Sequence, residues 1–147
     1  MYTKINKGCK MTNKDLILEA KKARKHAYTP YSHFQVGAAL LTKNGKIYHG
    51  CNIENAAYTP TNCAERTAFF KAVYDGEREF EKIAIVGGAE GSEADELCAP
   101  CGVCRQVMME FCDPDGFKIV LVNGKDECVE LSLREIFPYG FGPENLK

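Results

Sequence analysis

The sequence predicts an α/β fold in which helices pack on the faces of one mixed sheet. Three observations carry this. Periodic apolar segments run in the order helix, strand, strand, helix, strand, helix, strand, strand. The central strand–helix–strand–helix–strand series calls for parallel pairing through right-handed crossovers. Asn44-Gly45 and Asn123-Gly124 are hairpin turns, which call for antiparallel partners at both ends.

Residues 1–11 form a loose, lysine-bearing extension, and residues 12–147 form one domain. Thr12 with Asp15 is a capping signal that opens the first helix. Leu16, Ile17, Ala20, Ala23 and Ala27 then recur at helical spacing to about His26, and Tyr28-Thr29-Pro30-Tyr31-Ser32 breaks the run. Strand formers fill Phe34–Thr42, and Lys46–Asn52 is the returning strand. Residues 53–62 form a loop. Asn62 or Thr61 is placed to cap a helix from Cys63 to about Tyr74, with Asp75-Gly76 stopping it. Ile83–Val86 is a short buried strand, and Gly87–Ala99 an acidic loop. Pro100 suits the first turn of a helix reaching Cys112, and Asp113-Pro114 ends it. Lys118–Val122 is a buried strand and Cys128–Leu131 an edge strand. Ser132–Phe137 makes one helical turn before an aromatic tail.

The chain has 147 residues, 45% hydrophobic and 27% charged, as in a globular domain. A formal charge of −1 gives no overall pull toward nucleic acid or anionic membrane. No apolar run is long enough to span a bilayer, and the N-terminal residues lack the apolar stretch of an export signal. A cytoplasmic location is therefore expected. Eight cysteines is a high count, and in that compartment it points to metal or redox chemistry rather than disulfides. Cys9, Cys51, Cys112 and Cys128 stand alone and suit small buried apolar positions.

The chemistry concentrates in Cys63-Ala64-Glu65-Arg66 and Pro100-Cys101-Gly102-Val103-Cys104. Three thiolates bind a tetrahedral Zn²⁺ and leave its fourth corner open to water. Both segments lie at helix starts, where unpaired N–H groups and the helix dipole favour the thiolate. Cys101 and Cys104 share a helical face, and Cys63 completes the set from the other helix. Glu65 is placed as general acid and base beside the water. Zinc with three thiolates is formally −1, so a counter-charge is required. Arg66 shares a face with Cys63 and is placed to donate to a ligand sulfur. The pattern matches the three-cysteine form of the zinc nucleobase deaminase signature.

These cysteines admit other uses. Cys98 before Cys101 and Cys104 begins an iron–sulfur spacing, but the fourth position beyond Cys104 is Met108. Cys101-Gly102-Val103-Cys104 also resembles a redox dithiol, which leaves Cys63 and Glu65 without a purpose. A closed structural zinc of Cys63, Cys98, Cys101 and Cys104 is the strongest rival, and Pro100 should turn Cys98 away from it. Such a zinc-stapled interaction module would not need Glu65.

With those motifs in place, the chain resembles the homotetrameric cytidine deaminases of pyrimidine salvage, from about residue 13 to residue 146. The resemblance extends to Tyr31-Ser32-His33-Phe34-Gln35-Val36-Gly37-Ala38-Ala39-Leu40, to Gly50-Cys51-Asn52-Ile53-Glu54-Asn55-Ala56 and to Phe141-Gly142-Pro143-Glu144-Asn145-Leu146. It implies a three-layer α/β/α sandwich around a five-stranded mixed sheet, with one Zn²⁺ per subunit. It implies that Asn52 and Glu54 hold the ribose, that Phe34 contacts the pyrimidine, and that the Ala64 backbone contacts the base. It also implies that Phe141 and Tyr58 reach a neighbouring subunit's pocket in a homotetramer. The implied reaction is hydrolysis of cytidine and deoxycytidine with release of ammonia. The implied partner is a small pyrimidine nucleoside, not a nucleic acid polymer or a membrane. A deaminase of another aminated base, a nucleoside antibiotic or a polynucleotide cytosine, is the alternative within the same chemistry.

Overall fold

Five long strands and one short one form a single sheet in the order β1-β3-β2-β4-β5-β6. A computed structural model of the chain describes residues 2–4 and 10–147. The strands are β1 (Thr3–Lys4), β2 (Phe34–Thr42), β3 (Lys46–Cys51), β4 (Phe80–Ala89), β5 (Lys118–Val122) and β6 (Cys128–Ser132). The helices are α1 (Asn13–Arg24), α2 (Ala64–Tyr74), α3 (Gly102–Phe111) and α4 (Leu133–Ile136), followed by a 3₁₀ turn at Pro143–Leu146. The five strands expected from the sequence are all present. The extension adds the sixth, because Thr3 and Lys4 pair with Ile47 and Lys46. Cys9 lies outside the described residues.

The turns act as expected at both ends: β2 pairs antiparallel with β3, and β5 with β6. The middle differs in part. β4 and β5 are parallel neighbours, but β2 lies between β3 and β4 and pairs antiparallel with both. The segment carrying α2 therefore passes over β2 before the chain re-enters the sheet. β4 is also longer than the four residues its apolar run indicates. Gly87-Gly88-Ala89, expected in a loop, pairs with Val36, Gln35 and Phe34. Glycine is a poor strand former on its own, but here the neighbouring strand supplies the ladder.

Side chains alternate across the sheet. Ala38, Leu40, Tyr48, Ile83, Ile85, Ile119 and Leu121 face α2 and α3, whereas Ala39, Leu41, Ile47, Ala84, Val86, Val120 and Val122 face α1. This gives the three-layer α/β/α sandwich. Two glycines set how closely the helices approach. A Cβ on Gly37 would lie 2.1 Å from the Ala20 carbonyl of α1, and one on Gly50 would lie 2.1 Å from the Ala64 carbonyl of α2. Phe69 of α2 stacks on Phe111 of α3 at 6.3 Å and meets Phe80 edge-on at 5.1 Å. Fully burying such a ring stabilises by roughly 1.5–3 kcal/mol. These contacts fix α2 against α3, and hence the separation of their N-termini.

The helix caps are only partly those expected. Thr12 and Asp15 form the capping box of α1, and Ser132 and Glu135 form that of α4. For α2 the N-cap is Cys63, not Asn62 or Thr61, and for α3 it is Cys101. Asn62 instead turns its amide to donate to Thr67 Oγ1 at 3.2 Å. Pro100 consequently precedes the α3 cap rather than entering its first turn.

Candidate active site

Cys63 and Cys101 occupy N-cap positions but make no side-chain cap bond, so both sulfurs are free to face a ligand. Cys104 sits one turn into α3 and is buried. The three Sγ atoms lie within 4.8 Å of one another, and Cys63 and Cys101 are 3.8 Å apart. Tetrahedral zinc with Zn–S bonds of about 2.3 Å requires sulfurs separated by about 3.8 Å. The donor set therefore fits zinc with a small inward movement. Cys98 is not among these sulfurs. It lies against Gly87, where a Cβ would come within 2.5 Å of its Sγ. Burial, with Glu65 and Cys63 nearby, pushes the Cys98 thiol up to about 11.

The electrostatics favour a thiolate at Cys63. The hydrogen bond with Cys104, together with Arg66 and Cys101, outweighs burial and brings Cys63 down to about 5. Cys104 is pushed upward by the same bond, by burial and by Glu65. In the metal-free pair Cys63 thus carries the charge and Cys104 the proton, which a divalent ion displaces on binding. Arg66 Nη2 donates to Cys63 Sγ at 3.3 Å. Arg66 Nε is buried with no partner among the described residues. The guanidinium is thus held against the Cys63 sulfur.

Glu65 is only 4% exposed. Cys104 Sγ donates to its Oε2 at 3.7 Å, which places the carboxyl at the edge of the sulfur cluster. Burial raises its pKa to about 7. A carboxyl that exchanges its proton near neutrality is suited to general acid and base work.

The expected substrate residues surround the start of β2. Phe34 is partly exposed, and its ring lies 3.2 Å from a Cβ built on Gly87. It lines a cleft of about 530 Å³ with Gly87, Gly88, Ser92, Glu93 and Leu97. Asn52 braces the same strand: its Nδ2 donates to the Phe34 carbonyl and its Oδ1 accepts from Val36 N–H, both at 2.9 Å. Glu54 Oε1 accepts from the N–H groups of Tyr31 and Ser32 at 3.0 and 3.1 Å. Hydrogen bonds from Ser32 hold the Glu54 carboxyl below its usual range, despite some desolvation. Ala64 is fully buried at the first position of α2. Tyr58 and Phe141 are not gathered into this group. They stand 73% and 56% exposed, Tyr58 with a left-handed backbone (φ 59°) and its ring edge-on to Tyr31.

Comparison with known proteins decides the family. The family described as the cytidine and deoxycytidylate deaminase zinc-binding region matches residues 10–119. The chain belongs to that deaminase family. It is 53% identical over 131 residues to a cytidine deaminase of Sporosarcina psychrophila, covering 89% of this chain and 92% of that protein. It is 47% identical over 136 residues to a cytidine deaminase of Halalkalibacterium halodurans, covering 92% and 98%. A crystal structure of cytidine deaminase from Burkholderia pseudomallei superposes with a TM-score of 0.80 at 49% identity, covering 89% of this chain and 100% of that one.

Three further residues help to build this deaminase site, and the sequence reading passed over them. Thr67 Oγ1 reaches the carbonyls of Cys63 and Cys51 at 3.1 and 3.0 Å, tying α2 to the end of β3. Its spacing of four from Cys63 on a helix was the available signal. Arg105 donates to the Pro100 carbonyl at 2.8 Å and also to Ile136, so α4 steadies the turn that presents Cys101. Gln106 Nε2 donates to the Phe141 carbonyl at 2.8 Å and holds the tail on α3. Neither of the last two bonds has a local sequence signal.

Proposed function

We propose that this protein hydrolyses cytidine and deoxycytidine to uridine and deoxyuridine with release of ammonia. The observation that carries the reading is a buried carboxyl, Glu65, at a cluster of three cysteine sulfurs that fits zinc. Family membership supplies the reaction class. Cys63, Cys101 and Cys104 would hold the zinc ion, which when bound would supply Lewis acidity for activating water.

The chain's own residues do the rest. Glu65 takes a proton from the attacking water and passes it to ring N3; it then takes the second proton from the C4 hydroxyl and passes it to the departing amine, leaving the C4 carbonyl. A group near neutrality can both accept and return that proton. Arg66 offsets the negative charge of the sulfur set. The Phe34 ring contacts the pyrimidine, and such base–aromatic contacts are worth ~1–3 kcal/mol in nucleic-acid systems. The Ala64 backbone N–H, at an α2 start with unpaired donors, contacts the base. Asn52 and Glu54 bind ribose hydroxyls with the capacity left over from their backbone bonds. Glu54, ionised beside the sugar, disfavours a phosphate there.

Tyr58 and Phe141 complete the pocket of a neighbouring subunit in a homotetramer. Their exposure on a single chain supports this. No described helix is long and apolar enough to cross a membrane. Seven cysteines among the described residues are free, which supports work in a reducing cytoplasm.

The test is a substrate panel of cytidine, deoxycytidine, cytidine monophosphate and single-stranded DNA, read by ammonia release, with zinc and light scattering measured on the same sample. Turnover of the two nucleosides by a zinc-loaded tetramer is expected. Turnover of DNA alone, or of nothing at full zinc content, would overturn the reading.

A further inference from the structure

Outside the sulfur site, the densest polar arrangement is the guanidinium of Arg24, at the C-terminal end of α1. Its Nε donates to the Gln35 carbonyl at 2.9 Å. Its Nη2 donates to the carbonyls of Gly88 at 3.0 Å and Ala89 at 2.7 Å, and to Ser92 Oγ at 3.1 Å. Its Nη1 donates to the Ser92 carbonyl at 2.8 Å. One side chain thus joins α1 to the start of β2, the end of β4 and the loop beyond it. The backbone of Arg24 is fixed too, because α1 rests directly on Gly37, where a Cβ would lie 2.4 Å from Arg24 N.

These acceptors have their place in the fold in common. Gln35 lies between Phe34 and Val36, the residues Asn52 brackets from the β3 side. Gly88 and Ala89 follow Gly87, where a Cβ would meet both the Phe34 ring and Cys98. Ser92 begins the loop that returns through Cys98 to Cys101. Arg24 is on the α1 face of the sheet, and the Phe34 ring is on the other. A five-bond clamp behind the sheet therefore sets the position of the ring in front of it. An arginine fork delivers donors in a fixed plane, which suits several carbonyls at once.

We infer that Arg24 is a positioning residue for substrate binding, holding Phe34 and the Gly87–Ser92 segment where the pyrimidine is to be received, although it touches neither substrate nor metal. This rests on the reading of Phe34 as the nucleobase contact. It predicts a defect in binding rather than in chemistry, because Cys63, Glu65 and Cys104 sit on α2 and α3, which Arg24 does not touch.

The experiment compares wild type, Arg24→Ala and Arg24→Lys as zinc-loaded proteins. KM and kcat for cytidine are measured together with hydrogen exchange of peptides spanning 33–37 and 87–93. Arg24→Ala should raise KM about fivefold or more, with kcat within about twofold and zinc content unchanged. Exchange in both peptides should speed up, while that of the α2 and α3 N-terminal turns stays constant. Lysine, with three donors in place of five, should give intermediate values. Unchanged KM in folded Arg24→Ala, or unchanged exchange in the two peptides, would overturn the inference. If Arg24→Ala does not fold, the same criteria apply to Arg24→Lys. If wild type does not turn over cytidine, the functional reading fails, and the exchange data alone decide whether Arg24 is the clamp.

Discussion

Three thiolates overcharge a divalent ion, and the chain places one guanidinium at them. Arg66 donates to Cys63 Sγ and holds a second nitrogen buried without a partner among the described residues. Arg66→Ala should weaken zinc retention about 10–100-fold, the usual effect of removing an outer partner of a metal ligand. Competition with a chelator measures this, and retention equal to wild type would contradict it. Cys98 provides the converse case. Its thiol lies on Gly87, outside the sulfur cluster. Cys98→Ser should keep one zinc per chain, and metal analysis that finds the site emptied would show that Cys98 is a ligand. At this scale much was legible. Cysteine spacing named the three sulfurs that the fold brings together, and three thiolates on one ion called for a basic partner. Arg24 was not legible, because an arginine in the last turn of a helix is ordinary. Its acceptors, Gln35, Gly88, Ala89 and Ser92, come from distant segments.

Elements place these residues through close helix-to-sheet contact. Gly37 and Gly50 lie on neighbouring strands and admit helices on opposite faces of the sheet. Because the obstructing atoms are backbone, neither glycine can become alanine without moving a helix. Each substitution should cost about 1–3 kcal/mol, the range for overfilling a packed interior. The two should part on zinc. Gly50→Ala pushes on α2, which carries Glu65 and follows Cys63, so zinc affinity should fall. Gly37→Ala pushes on α1 and should leave zinc affinity near wild type. Urea melts with zinc titrations separate the cases, and equal zinc affinity in both variants would contradict the account. Local signals located most elements. The Thr12–Asp15 box marks its helix correctly because it is satisfied within four residues; the Ser132–Glu135 box has the same local character but was not singled out in the sequence. Local signals failed where a distant partner decides. Gly87–Ala89 is a strand because β2 pairs with it, and α2 is capped by Cys63 because Thr67 draws Asn62 away. The placement of β2 between β3 and β4 has no local signal at all.

The whole molecule depends on pH through paired carboxylates on its surface and seams. Burial acts to raise Glu19, but hydrogen bonds from Lys22 and His49 outweigh it and hold the carboxyl below its usual 4.5. Asn13 and Lys82 hold Glu130 down likewise, joining α1, β4 and β6. The native state therefore binds fewer protons than the unfolded chain in this range. The stabilisation is complete above the unfolded carboxylate value and is lost as pH falls through the lower native values. In the difference of urea midpoints between wild type and Glu130→Gln, which removes the shared titrations of Glu65 and Cys63, the wild-type advantage should be level from pH 7 to about 5 and decline below it. A difference that stays level down to pH 3 would contradict this. The layered architecture follows from the order of elements, and the sulfur site forms where the starts of α2 and α3 meet. The central claim is that this site drives hydrolysis through Glu65. Its most direct test is ammonia release from cytidine by Glu65→Gln, compared with wild type at equal zinc content. A fall of at least about 10²-fold with one zinc per chain is predicted, and turnover within a few-fold of wild type by the zinc-loaded variant would contradict it.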